Sequence, residues 1–258
     1  MATAPESNKL PLFYKELVPL NVNEHGSWHA RQTDKANWIV NQHAIPLTVE
    51  EFPLAQRHYP IIFSSSEESV PLALMGMNEG VNVFVEEDGT LSENVYLPAY
   101  ARRYPFMLAK LRPDANELSL CIDPTSELVG EFDDGSPLFE GEKPTEACQA
   151  TLKFCEQFEI AGNKTANFIQ ELKKHDLLID GELSVQPEGL DKPMVYRGFR
   201  MVSEEKLREV RGDVLRGWNQ NGLLALVYAH LFSLQLVREV FGRQISQGKV
   251  PQPVAATN

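Results

Sequence analysis

The segment VYLPAYARRYPF, residues 95–106, sets Tyr100, Arg102, Arg103 and Tyr104 between Pro98 and Pro105. A guanidinium grips a carboxylate through two parallel N–H donors, and planar Arg and Tyr side chains give large contacts at little entropic cost. Together with Tyr59 of YPIIF, these four residues form a candidate ligand- or partner-binding set whose chemistry is recognition of an acidic group. A packing role stands beside it. Tyr59, Tyr104 and Phe106 would fill a sheet while Arg102 and Arg103 pair with Glu86, Glu87 or Asp88. No catalytic residue emerges from either reading.

Other chemistry-bearing groups read as structural. His25 and His29 are four residues apart, with Glu24, Asp34 and His43 nearby, a spacing that suits a metal on a regular helix. Gly26 and the polar surroundings argue against such a helix, so no metal is expected. Cys148 and Cys155 share a helix face beside Phe154 and Phe158, which suits small buried hydrophobes better than nucleophiles. His230 lies in an apolar helix and reads as a core histidine. The sequence holds no phosphate loop, GxGxxG, HExxH, GxSxG or EF-hand pattern. No cofactor is expected.

The net charge of -12 disfavours a nucleic-acid partner, which would need clustered cations. The segment MATAPESNKLPLFYKELVPL lacks the basic flank and apolar run of a secretory signal, and an odd count of three cysteines argues against a disulfide framework. A cytoplasmic location follows as the expectation. Leu223–Val237 is interrupted by polar residues and falls short of the roughly 20 residues of a membrane span. No membrane insertion is expected.

The elements that must position these residues form an α+β pattern, a β-rich N-terminal half as an antiparallel meander packed with a helical C-terminal half. Residues 1–9 read as a flexible leader, 10–245 as one domain (β-rich over 10–122, mainly helical over 144–245), and 246–258 as a flexible tail. Strands are expected over Ile45–Val49, Ile61–Phe63, Pro71–Met77, Val81–Val85, Phe106–Leu111 and Leu118–Ile122, with Asp88-Gly89 as a tight turn. Pro53 confines a helix start over Val49–His58 to its first turn. Asp123–Lys143 reads as a long loop, Thr145 caps a helix ending near His175, and Asp180-Gly181 marks a second hairpin, with Met194–Met201 as a further strand. Ser203 with Glu204 and Glu205 opens a helix, and Gly222–Phe241 is the last.

Several ordered segments, among them IPLTVEEFPLAQRHYPIIF, LMGMNEGVNVFVEEDG, YLPAYARRYPF, LCID, PLFEGE and NGLLALVYAHLFSL, together resemble the bacterial SapC family over nearly the whole chain. The resemblance implies a link to surface-layer biology and to genes for TonB-dependent receptors and flavin-dependent halogenase-like proteins. It leads to the expectation of a non-catalytic accessory protein holding a peptide or protein partner. The alternative is an enzyme or enzyme subunit in peptide or small-molecule modification, with Arg102 or Arg103 binding an acidic substrate group. A structural surface-layer component is a third possibility, disfavoured by the lack of an export signal.

Overall fold

The computed structural model describes residues 10–112, 117–185 and 194–249. The expected leader at 1–9, the loop around 113–116 and the tail from 250 lie outside the described residues. The α+β class holds: antiparallel strands dominate the N-terminal half and helices the C-terminal half.

A five-stranded antiparallel sheet runs in the order Leu178–Val185, Met194–Val202, Ile61–Ser64, Pro71–Leu74, Ala44–Pro46. Its centre explains the apolar run YPIIF. Ile61 and Phe63 point into one core cluster with Phe52, Tyr59, Phe168 and Val227, while Ile62 points the other way, against Phe199, Val237 and Phe241. Strand side chains alternate between faces, so a sheet covered on both sides needs continuous hydrophobicity at its centre. A second sheet orders Val18–Pro19, Ser119–Ile122 and Phe106–Ala109. A third holds His29–Ala30 between two short strands, Val129–Gly130 and Ser136–Pro137, taken from the expected loop.

Helix starts follow their local chemistry. Thr145 accepts a hydrogen bond from the Cys148 N–H at the head of the 29-residue Glu146–Lys174 helix, and Ser203 does the same for Lys206. Pro53 sits in the first turn of Phe52–Ala55.

Three expectations are corrected. Val81–Val85 is no strand; Val85 makes one antiparallel bridge to Leu91 across the Asp88-Gly89 turn, where Gly89 adopts φ +84°. Asp180-Gly181 is no hairpin but the middle of one continuous strand. The Phe199 ring fills the space that a Cβ on Gly181 would occupy, within 2.2 Å, and the register shifts at this point. The last helix is interrupted by a 3-10 turn at Leu234–Leu236 and runs on to Ser246.

The helical stretch Leu223–Ser246 is, by length and composition alone, long and apolar enough to cross a membrane. Two of its buried polar side chains bond to the backbone beside it. Ser233 Oγ accepts from the Ile61 N–H at 2.8 Å and Gln244 Oε1 from the Met77 N–H at 2.8 Å.

Candidate functional site

The arginine segment is organised by a buried carboxylate. Glu51, 5% exposed, closes a capping box in which Oε2 accepts from the Thr48 N–H at 2.8 Å and its hydroxyl at 2.9 Å. Its other oxygen accepts from the Ala99 N–H at 2.6 Å and the Tyr96 hydroxyl at 3.0 Å. A negative charge thus meets the first N–H of the one-turn Ala99–Arg102 helix, where the peptide dipoles favour it. Burial, with Glu51 alongside, pushes the Tyr96 hydroxyl up to about 12.

That single turn sends the two arginines in different directions. Arg102 is exposed; its Nε donates to the Leu97 carbonyl at 3.0 Å and its Nη2 to the Tyr96 hydroxyl at 3.1 Å. Its guanidinium carbon stands 5.5 Å from the Tyr96 ring centroid and 5.2 Å from that of Phe154. Arg103 is buried, 4.4 Å from the Tyr100 centroid and 4.3 Å from that of Phe158. Phe154 and Phe158 are one turn apart on the long helix, so one helical face receives both cations.

The expected pairing of these arginines with Glu86, Glu87 or Asp88 is not what forms. Asp88 bonds Lys35 at 2.6 Å, and the carboxylate nearest Arg103 is Glu159, with Nη1 to Oε1 at 3.6 Å. Desolvation raises the Glu159 carboxyl above its ordinary range, against the opposing pull of Arg103.

The tyrosines divide as well. Tyr59 is fully buried, donates its hydroxyl to the Tyr96 carbonyl, and meets Phe84 edge-on at 4.9 Å. Tyr100 is buried and donates to the Leu12 carbonyl at 3.3 Å. Tyr104 is half-buried among Trp38, Tyr14 and Phe13, with ring centroids at 5.4, 5.3 and 6.3 Å. Of the five candidates, Arg102 presents its charged group outward. Arg103, Tyr100 and Tyr104 lie beneath and beside it, and Tyr59 joins it only through Tyr96.

Glu51, Phe154, Phe158 and Glu159 complete the site and were not singled out from the sequence. The Thr48-x-x-Glu51 capping-box spacing and the four-residue Phe154/Phe158 interval were the available signals.

The remaining candidates sit elsewhere. His25 ends the short Val22–His25 helix, buried, and takes the Asn21 N–H on Nδ1 at 3.2 Å, whereas His29 lies on a strand. Among the described residues no group of three or more His, Cys, Asp or Glu is arranged to hold a metal ion. All three cysteines are buried, and desolvation pushes Cys155 up to about 12. His230 is the core residue expected: its Nε2 accepts from the Val202 N–H at 3.0 Å, which places the proton on Nδ1 to donate to the Ile61 carbonyl at 2.7 Å.

Three clefts lined by described residues lie away from Arg102 and Arg103. One, about 520 Å³, is lined by Val49, Pro53, Phe168, Leu223, Leu226, Glu50 and Lys164. The others, about 380 and 320 Å³, flank Arg200 and Tyr196.

A model of the SapC family matches residues 20–240, a span that takes in the arginine turn, the long helix and the five-stranded sheet. The chain belongs to the SapC family. Within this SapC chain, the matched region includes Glu51, the aromatic pair on the long helix and the last helices. No curated protein and no solved structure matches the chain.

Proposed function

We propose that this SapC-family protein is a non-catalytic accessory protein that binds a peptide or protein partner through an acidic group on that partner. The observation that carries the reading is the exposed Arg102 guanidinium, steadied by Leu97 and Tyr96 and flanked by the Tyr96 and Phe154 rings. Among the described residues two of its five N–H donors are engaged in these bonds, which leaves the others to a carboxylate. Pre-placing a flexible cation in this way lowers the entropy lost on binding.

The position of Arg102 favours partner binding over the alternative of an enzyme or enzyme subunit. Substrate chemistry draws on enclosed pockets with convergent titratable groups, and the three clefts among the described residues have other residues for walls. Family membership supports a role linked to surface-layer or outer-membrane systems, served from the cytoplasm. The test is affinity capture from native cell extract with wild type and Arg102→Ala, identified by mass spectrometry. A protein or peptide held by the wild type and lost with the variant is the expected result. A small molecule or halogenase-like enzyme held equally by both would favour the enzyme-subunit reading.

A further inference from the structure

Arg103 is 6% exposed, yet among the described residues its Nε has no hydrogen-bond partner. The Tyr100 hydroxyl is within hydrogen-bonding reach of the guanidinium, and the rings of Tyr100 and Phe158 attract the cation, but neither meets the Nε–H, because guanidinium N–H groups point outward in their own plane. A buried donor left unmet is costly, and such groups in a folded protein call for an explanation. Glu159 supplies only part of one. At 3.6 Å its oxygen is beyond hydrogen-bond distance from Nη1, and its side chain is 23% exposed, so it has a direct route to solvent. The other groups around this guanidinium are Tyr14, Tyr100 and Cys155, hydroxyls and a thiol whose protons burial holds in place. Among the described residues the carboxylate facing the cation is the loosely set Glu159.

We propose that the donor edge of Arg103 is a carboxylate-binding site, occupied loosely by Glu159 in the free protein and taken over by a carboxylate of the partner when Glu159 turns toward solvent. This rests on the reading of Arg102 as the docking residue and adds the chemistry of the inner contact. Arg102 meets the acidic group at the surface, and Arg103, one residue on and one turn along the same aromatic face, receives a carboxylate beneath it. A partner with two carboxylates, such as adjacent acidic residues or an acidic residue at a chain end, fits both.

The test follows the Arg103 Nε–H resonance by NMR in wild type and Glu159→Gln, titrated separately with sodium acetate and with an acetylated, amidated Gly-Glu-Gly tripeptide. Removing the internal competitor should tighten binding of both probes about tenfold. In Arg103→Met, checked for folding by circular dichroism, the backbone amides of Tyr100 and Phe158, followed in all three proteins, should no longer shift with either probe. Shifts with the tripeptide, with or without acetate, support the site as a peptide-carboxylate receptor. Shifts with acetate alone support the anion site but assign it to free small carboxylates, which removes the partner reading. Silence to both probes in Glu159→Gln, or an undiminished protein response to them in Arg103→Met, overturns the site. That failure would leave the Arg102 surface to stand or fall on the capture experiment.

Discussion

Arg102 and Arg103 are consecutive in the chain, yet one guanidinium is exposed 5.2 Å from Phe154 and the other is buried 4.3 Å from Phe158. A single helical turn rotates neighbours by about 100°, so identical side chains enter environments of opposite cost. Substitution should separate them.

Arg102→Ala should change stability by less than about 0.5 kcal/mol, as expected for an exposed residue. Arg103→Ala removes a long stem packed on two rings and should cost about 2–3 kcal/mol. Arg103→Met, which keeps the stem and removes the unmet donor, should cost less than about 1 kcal/mol. Urea denaturation of the three variants checks the ranking; an Arg102→Ala loss equal to that of Arg103→Ala would contradict it.

Glu51 ties the capping box to the arginine turn, so its effect should reach the surface. Glu51→Ala strands donors from Thr48, Tyr96 and Ala99 and should cost about 3–5 kcal/mol. Glu51→Gln keeps the shape but loses the charge and one acceptor oxygen. It should fold while weakening partner capture, because Tyr96 no longer holds Arg102 in place. Thermal melts alongside the capture experiment test both halves.

His230 should give the protein an acid limit. Burial lowers its pKa to about 4, from an ordinary 6.5, so the unfolded chain binds a proton that the folded one excludes. Its contribution is therefore complete above pH 6.5 and is lost progressively as the pH falls toward 4, to about 3 kcal/mol. Denaturation midpoints across that range should fall in the wild type and flatten in His230→Gln, even though that variant starts less stable.

Two glycines should respond oppositely to alanine. At Gly181 the new Cβ collides with the Phe199 ring and should cost about 1–3 kcal/mol. At Gly162, inside the long helix with nothing within 4 Å, it should add about 0.5–1 kcal/mol. Melting temperatures of the two variants decide.

What was legible in the sequence was chiefly local. Thr145 and Ser203 cap helices through bonds spanning three residues, and Ile61–Phe63 announces a strand buried on both faces through its unbroken apolar run. What failed depended on distant neighbours. Val81–Val85 has strand-forming residues but no partner strand beyond one bridge, and Asp180-Gly181 carries turn chemistry in a place where Phe199 claims the glycine. The recognition block at Tyr100–Tyr104 was visible by composition. Its division into an outward Arg102 and an inward Arg103 was not, because that division is made by Glu51 and by two phenylalanines more than fifty residues downstream.

The strand order of the central sheet constrains how the chain reaches its folded state. Ser64 and Phe63 wait for Phe199 and Arg200, and Ile62 is covered by Phe199, Val237 and Phe241. During synthesis the N-terminal strands therefore emerge with an unfinished edge and a bare apolar side until the last quarter of the chain arrives. Such long-range closure slows folding and exposes sticky surface in the interval. Chaperone dependence should be greatest just before that final segment clears the ribosome.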